Sequence, residues 1–78
     1  MRKYKNHKRH SVVCTRNEGY EASLEKRKIY QAIHDEKVAA LKLIRIVDES
    51  GQSYLFPQEF FTSIKLSQPL LKALDFAA

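Results

Sequence analysis

One cysteine, two glycines, two prolines and no tryptophan leave this chain without several common devices. A single thiol, Cys14, excludes an internal disulfide framework. Two glycines are too few for a Gly-rich loop that cradles phosphate. No run approaches the roughly 20 apolar residues that a membrane-spanning helix needs. The first residues also lack the apolar core of a signal peptide. A reducing, cytoplasmic setting is therefore the expectation, with no membrane partner.

What is present is one small domain of 78 residues. A chain of this size buries only about 60% of its unfolded surface, so its stability margin is thin. The formal net charge is +5, and it is unevenly placed. Residues 1–10 carry Arg2, Lys3, Lys5, Lys8 and Arg9 and no acid. The other 68 residues balance nine positive side chains against nine negative ones. The body is formally neutral, and residues 1–10 read as a disordered basic tail.

The stretch Leu43 to Ile64 organises the rest. Ile44 and Ile46 lie two apart, with Arg45 and Val47 on the other face, which is the period of a strand. Asp48, Glu49, Ser50 and Gly51 break it; Gly51 suits positive φ and Asp48 can bond its own turn. Ser53 to Phe56 resumes an extended pattern, so a hairpin with a four- or five-residue loop is predicted. Pro57 ends that strand or puts it at an edge. Gln58 to Phe61 fits one 3₁₀ turn, and Thr62 to Lys65 a closing strand. Upstream, Val12, Val13 and Cys14 centre a first strand over Ser11–Thr15, which predicts a buried, inert thiol. Asn17, Gly19 and Ser23 mark a long loop carrying Tyr20.

The run Tyr54-Leu55-Phe56-Pro57-Gln58-Glu59-Phe60-Phe61-Thr62-Ser63-Ile64 resembles the end of an SH3-like barrel. There a strand, an apolar-Pro-x-x-aromatic segment, a 3₁₀ turn and a short strand follow one another. Leu24-Glu25-Lys26-Arg27-Lys28-Ile29, with Ile33, is similar to the segment entering the second strand of that fold, which usually has Gly where Arg27 stands. The span Val12–Ile64 also resembles a family of small uncharacterised bacterial proteins. They share the Asn-Glu-Gly-Tyr-Glu-Ala-Ser-Leu and Asp-Glu-Ser-Gly…Tyr-Leu-[Tyr/Phe]-Pro segments present here as Asn17–Leu24 and Asp48–Pro57. The resemblance implies a mainly β chain, a small five-stranded SH3-like barrel over residues 11–66, with a short C-terminal helix over residues 67–78.

Residues 21–43 are ambiguous. Glu, Ala, Lys and Leu favour a helix over Ala22–Leu41, whereas Ile29, Tyr30, Ala32 and Ile33 also fit a strand from Lys28 to His34. The resemblance implies the strand, with one helical turn at Glu36–Ala40. Ser67 can cap the last helix and Pro69 suits its first turn. Leu70, Leu71 and Leu74, extended by Ala77 and Ala78, form its stripe. A helix this short needs its leucines buried, on the body or on a second chain. A monomer or a weak homodimer through this helix is expected.

Catalytic signals are weak. A Cys14–His34 dyad is the one nucleophile–base pairing available outside the tail, and the Asp35-Glu36 and Asp48-Glu49 pairs sit in turns that face water. His7, His10 and Cys14 have the spacing H-x₂-H-x₃-C, but a closed zinc site takes four ligands and two of these fall in the tail. No enzyme activity, metal or cofactor is expected. A non-catalytic protein-interaction module is, with Tyr20, Tyr54, Pro57 and Phe60 as partner-binding residues. Pro57 and Phe60 match the groove of peptide-binding SH3-like domains, but the Trp and the Ala-Leu-Tyr-Asp-Tyr run of that branch are missing, which argues against a proline-rich ligand. Phe56, Phe60 and Phe61 also supply most of the aromatic core. The alternative is a nucleic-acid-binding barrel, in which Arg2, Lys3, Lys5, Lys8, Arg9 and Arg16 neutralise phosphates and Tyr4 stacks on a base.

Overall fold

The computed structural model describes residues 9–48 and 50–74. The strands are β1 (Arg9–Cys14), β2 (Ile29–Ile33), β3 (Leu43–Val47), β4 (Ser53–Pro57) and β5 (Phe61–Ile64). Helix α1 (Glu36–Ala40) links β2 to β3, a 3₁₀ turn (Gln58–Phe60) links β4 to β5, and α2 (Gln68–Ala73) follows. All neighbouring strands are antiparallel, in one sheet of order β4-β3-β2-β1-β5. Where a closed barrel is expected, the hydrogen-bonded sheet is open, with β4 and β5 at its edges. It is nevertheless curled. The rings of Phe56 on one edge and Phe61 on the other stand 6.3 Å apart.

The alternation of the strands decides which face is inside. Val12 and Cys14 on β1, Ala32 on β2, Ile46 on β3 and Phe56 on β4 share one face and form the core with Leu24 and Phe60. Burying such side chains supplies about 1.5–3 kcal/mol each, the main favourable term available to so short a chain. On the opposite face the buried Ser11 hydroxyl accepts a 2.8 Å hydrogen bond from Gln31 Nε2. β1 starts at Arg9, so Arg9 and His10 belong to the sheet rather than to the basic tail. The proposed disorder of residues 1–8 lies outside the described residues, as do Glu49, Ala77 and Ala78.

Residues 22–41 do not form one helix. Tyr30 and Ala32 alternate with Gln31 across β2, and pairing with β1 and β3 prevails over the helical propensity of the flanking Glu, Lys and Ala. Helix α1 occupies the single turn foreseen for it. Asp35 caps it, its Oδ1 accepting from the amides of Lys37 (3.1 Å) and Val38 (3.3 Å). The 48–52 turn is held by Asp48 Oδ1, which accepts from the Ser50 amide and hydroxyl and the Gln52 amide. Gly51 takes φ +91° there. Ser67 caps α2 through its hydroxyl.

Arg27 has φ +69°, the left-handed conformation that a glycine at this position would adopt freely. Its amide donates to the Cys14 carbonyl at 2.7 Å, so the turn is tied to β1 despite the strain. A non-glycine residue there costs about 1–2 kcal/mol, partly offset by the greater unfolded-state freedom of glycine. Arg27→Gly is expected to raise the urea midpoint, by the equivalent of up to about 1 kcal/mol. An unchanged or lower midpoint contradicts this account of the turn.

Candidate functional site

The loop between β1 and β2 folds back on itself. The Tyr20 amide donates to the Asn17 carbonyl, the Ser23 and Leu24 amides donate to the Tyr20 carbonyl, and Asn17 Nδ2 donates to the Leu24 carbonyl at 2.9 Å. Gly19 permits the reversal with φ +83°. Leu24 is buried in the core and anchors the loop. This geometry lays Tyr20 across the aromatic end of the core, edge-on to Phe56 at 5.5 Å and to Phe60 at 5.7 Å. Tyr20 remains 38% exposed.

Tyr54 lies two residues before Phe56 and so shares its face of β4. It is 49% exposed, and its hydroxyl donates to Gln52 Oε1 at 2.8 Å. Pro57 ends β4 opposite Leu43 and starts the 3₁₀ turn. Phe60 is only 5% exposed, so it supports the surface from beneath. Its carbonyl accepts from the Thr15 amide at 2.8 Å, which fixes the turn against the end of β1. Tyr20, Phe56 and Phe60 are thus brought into contact, Tyr54 extends the same face, and Pro57 stands at its end.

Arg16 has a role that its sequence position did not suggest. Its guanidinium lies 5.4 Å from the Phe60 ring centroid, with Nε 3.0 Å from Glu18 and Nη1 3.6 Å from Glu59. Two carboxylates and a ring therefore engage this cation, which lowers its value as a phosphate contact. Arg9 is exposed at the start of β1, while Arg2, Lys3, Tyr4, Lys5 and Lys8 lie outside the described residues.

Cys14 and His34 do not come together as a dyad. Cys14 is fully buried and donates from Sγ to the Arg16 carbonyl at 3.1 Å; burial pushes its pKa up. Its amide bonds to the Lys28 carbonyl, so His34 lies six residues along β2, about 20 Å away. Among the described residues no group of three or more His, Cys, Asp or Glu could hold a metal ion. No helix of the described residues is long and apolar enough to cross a membrane.

A second concavity, a cleft of roughly 430 Å³, opens at the α1 end of the core face. Val12, Ile44 and Phe61 lie along it with Ile33 and Val38, and His10, His34 and Glu59 are among its polar lining. Sequence reasoning placed His10 in the tail and missed the cleft; the signal was its spacing of two from Val12, which carries the inward alternation one residue pair further. The chain was compared with protein-family models, curated proteins and solved structures, and none matched.

Partial burial, then the neighbouring His34, lowers the pKa of His10 from 6.5. The unfolded chain therefore binds this proton more readily, and folding stability falls as pH drops below 6.5. The Val38 amide first, then the Arg45 side chain, lowers the pKa of Asp35 from 3.8, and the Ser50 hydroxyl does so for Asp48. Their contribution is complete above that range and is lost in stronger acid. Melting temperature should therefore decline in two stages on acidification, and His10→Gln should flatten the first. An identical profile in the variant contradicts the assignment of that stage to His10.

Proposed function

We propose that the protein is a non-catalytic interaction module that binds a segment of another protein across the surface presented by Tyr20 and Tyr54. The observation that carries this reading is that two exposed tyrosines, 34 residues apart in the chain, both neighbour Phe56: Tyr20 stands edge-on to its ring and Tyr54 precedes it by two on the same face of β4. Tyrosine offers large contact area at small entropic cost, with a hydroxyl for orientation, and is enriched at interfaces for that reason. Phe60 and Pro57 serve as its floor and end wall. Glu18 and Glu59 flank it and share the one cation Arg16, which leaves a net negative edge that favours a ligand with a basic side chain beside its apolar ones. The strand order, the curl and the 3₁₀ turn before β5 support reading the sheet as an SH3-like barrel. A lone buried thiol suits a reducing compartment, and in this reading the module works in the cytoplasm.

The basic excess of residues 1–10 favours nucleic acid as the second reading. In it, affinity falls with salt at a slope of about −0.9 per phosphate contact on duplex DNA. A pull-down from the native host, with and without nuclease, separates the two. The interaction module predicts a nuclease-resistant polypeptide that is lost with Tyr20→Ala/Tyr54→Ala while the variant keeps its sheet dispersion in NMR spectra. Copurified RNA or DNA, released by salt and indifferent to the two tyrosines, contradicts it.

A further inference from the structure

We infer that α2 of one copy of this chain docks into the α1-side cleft of a second copy, in a reciprocal exchange. Two independent features point to it. Helix α2 has no buried residue; Leu70 and the C-cap Leu74 are 42% and 41% exposed and Leu71 is half-buried, so among the described residues its apolar stripe is largely uncovered. A six-residue helix does not hold in water without such burial. The cleft is the complementary element. Ala39, Leu43, Ile44 and Phe61 supply its accessible apolar lining, over the buried Val12, Ile33 and Val38, and an apolar groove of this kind can take an amphipathic helix.

Charge favours the same pairing. Lys65 precedes the leucines and Lys72 lies between Leu71 and Leu74, and residues 65–74 contain no acid. At the cleft, Glu59 lines the rim and Glu36 stands 3.7 Å from His34; both carboxylates are largely exposed. Arg45, the cation within the lining, is matched by Asp35 at 3.2 Å. The lowered pKa of His10 keeps that ring neutral near pH 7, so it does not oppose the lysines.

Connectivity allows the exchange to be reciprocal. β5 ends at Ile64 opposite Ser11, next to the cleft residues Ser63 and His10, and three residues separate it from α2. Two copies related by a two-fold axis can each place α2 in the other's cleft, which makes every contact twice and closes the assembly. The cleft borders the Tyr20 and Tyr54 surface at Glu59, but neither tyrosine lines it, so either proposal can fail without the other.

Paramagnetic broadening in mixed full-length chains tests it. A nitroxide on Ala73→Cys is carried by unlabelled chain and mixed with ¹⁵N-labelled wild type; Cys14 is buried and stays unmodified. Broadening of the Val38, Ala39 and Leu43 amides in the mixture is expected, together with a dimer in sedimentation. Leu70→Glu/Leu74→Glu should remove both effects without altering sheet resonances, since both leucines are exposed. Broadening only when nitroxide and ¹⁵N share a chain shows α2 docking at home and overturns the exchange. Broadening confined to α2, or none with a strictly monomeric chain at millimolar concentration, overturns it as well.

Discussion

The structure depends on aromatic contact across a gap that backbone hydrogen bonds do not close. β4 and β5 are opposite edges of the sheet, yet Phe56 meets Phe61, and Phe61 in turn stands 6.1 Å from Tyr30 on β2. Tyr20 then lies over Phe56 and Phe60 from the loop side. Such pairs are worth about 0.5–1.5 kcal/mol each beyond their buried area. In a domain whose whole margin is a few such increments, they hold the curl that buries Val12, Cys14, Ala32 and Ile46.

The same contacts divide the aromatic residues by task. Phe60 is held inside by the 3₁₀ turn, whose first amide bonds to the Lys42 carbonyl and whose last carbonyl serves Thr15. Tyr20 and Tyr54 keep an exposed face. Arg16 is spent on Glu18, Glu59 and the Phe60 ring, so it stabilises the rim of this surface more than it extends the basic tail. At the opposite end, α1 and His10 border a cleft of mixed lining, whose apolar part is the surface proposed to receive the exposed leucines at the end of the chain.

Legibility followed the strength of the local signal. The hairpin around Gly51, the 3₁₀ turn after Pro57 and the cap of α2 at Ser67 could all be read, because period two, positive φ and side-chain capping are local properties. β2 could not be read from composition, since its strand state comes from pairing on both sides with residues distant in the chain. Arg27 shows the same limit: its side chain gives no hint of φ +69°, which the Cys14 carbonyl helps impose. Tyr20 and Tyr54 could be named from the sequence as candidate surface aromatics, while Phe60 reads both as a partner contact and as core, and the turn buries it. The closed barrel was an extrapolation from those local matches; the edges approach through side chains while their backbones remain unpaired.

The most direct measurement is a ¹³C-edited NOESY spectrum of the aromatic region. Tyr20 ring protons should show cross-peaks to both Phe56 and Phe60, and Phe56 to Phe61, with upfield ring-current shifts for protons that point into a neighbouring ring. A Tyr20 ring at random-coil shifts without those cross-peaks, or a Phe61 in contact with Tyr30 alone, contradicts an aromatic seal across the open edges.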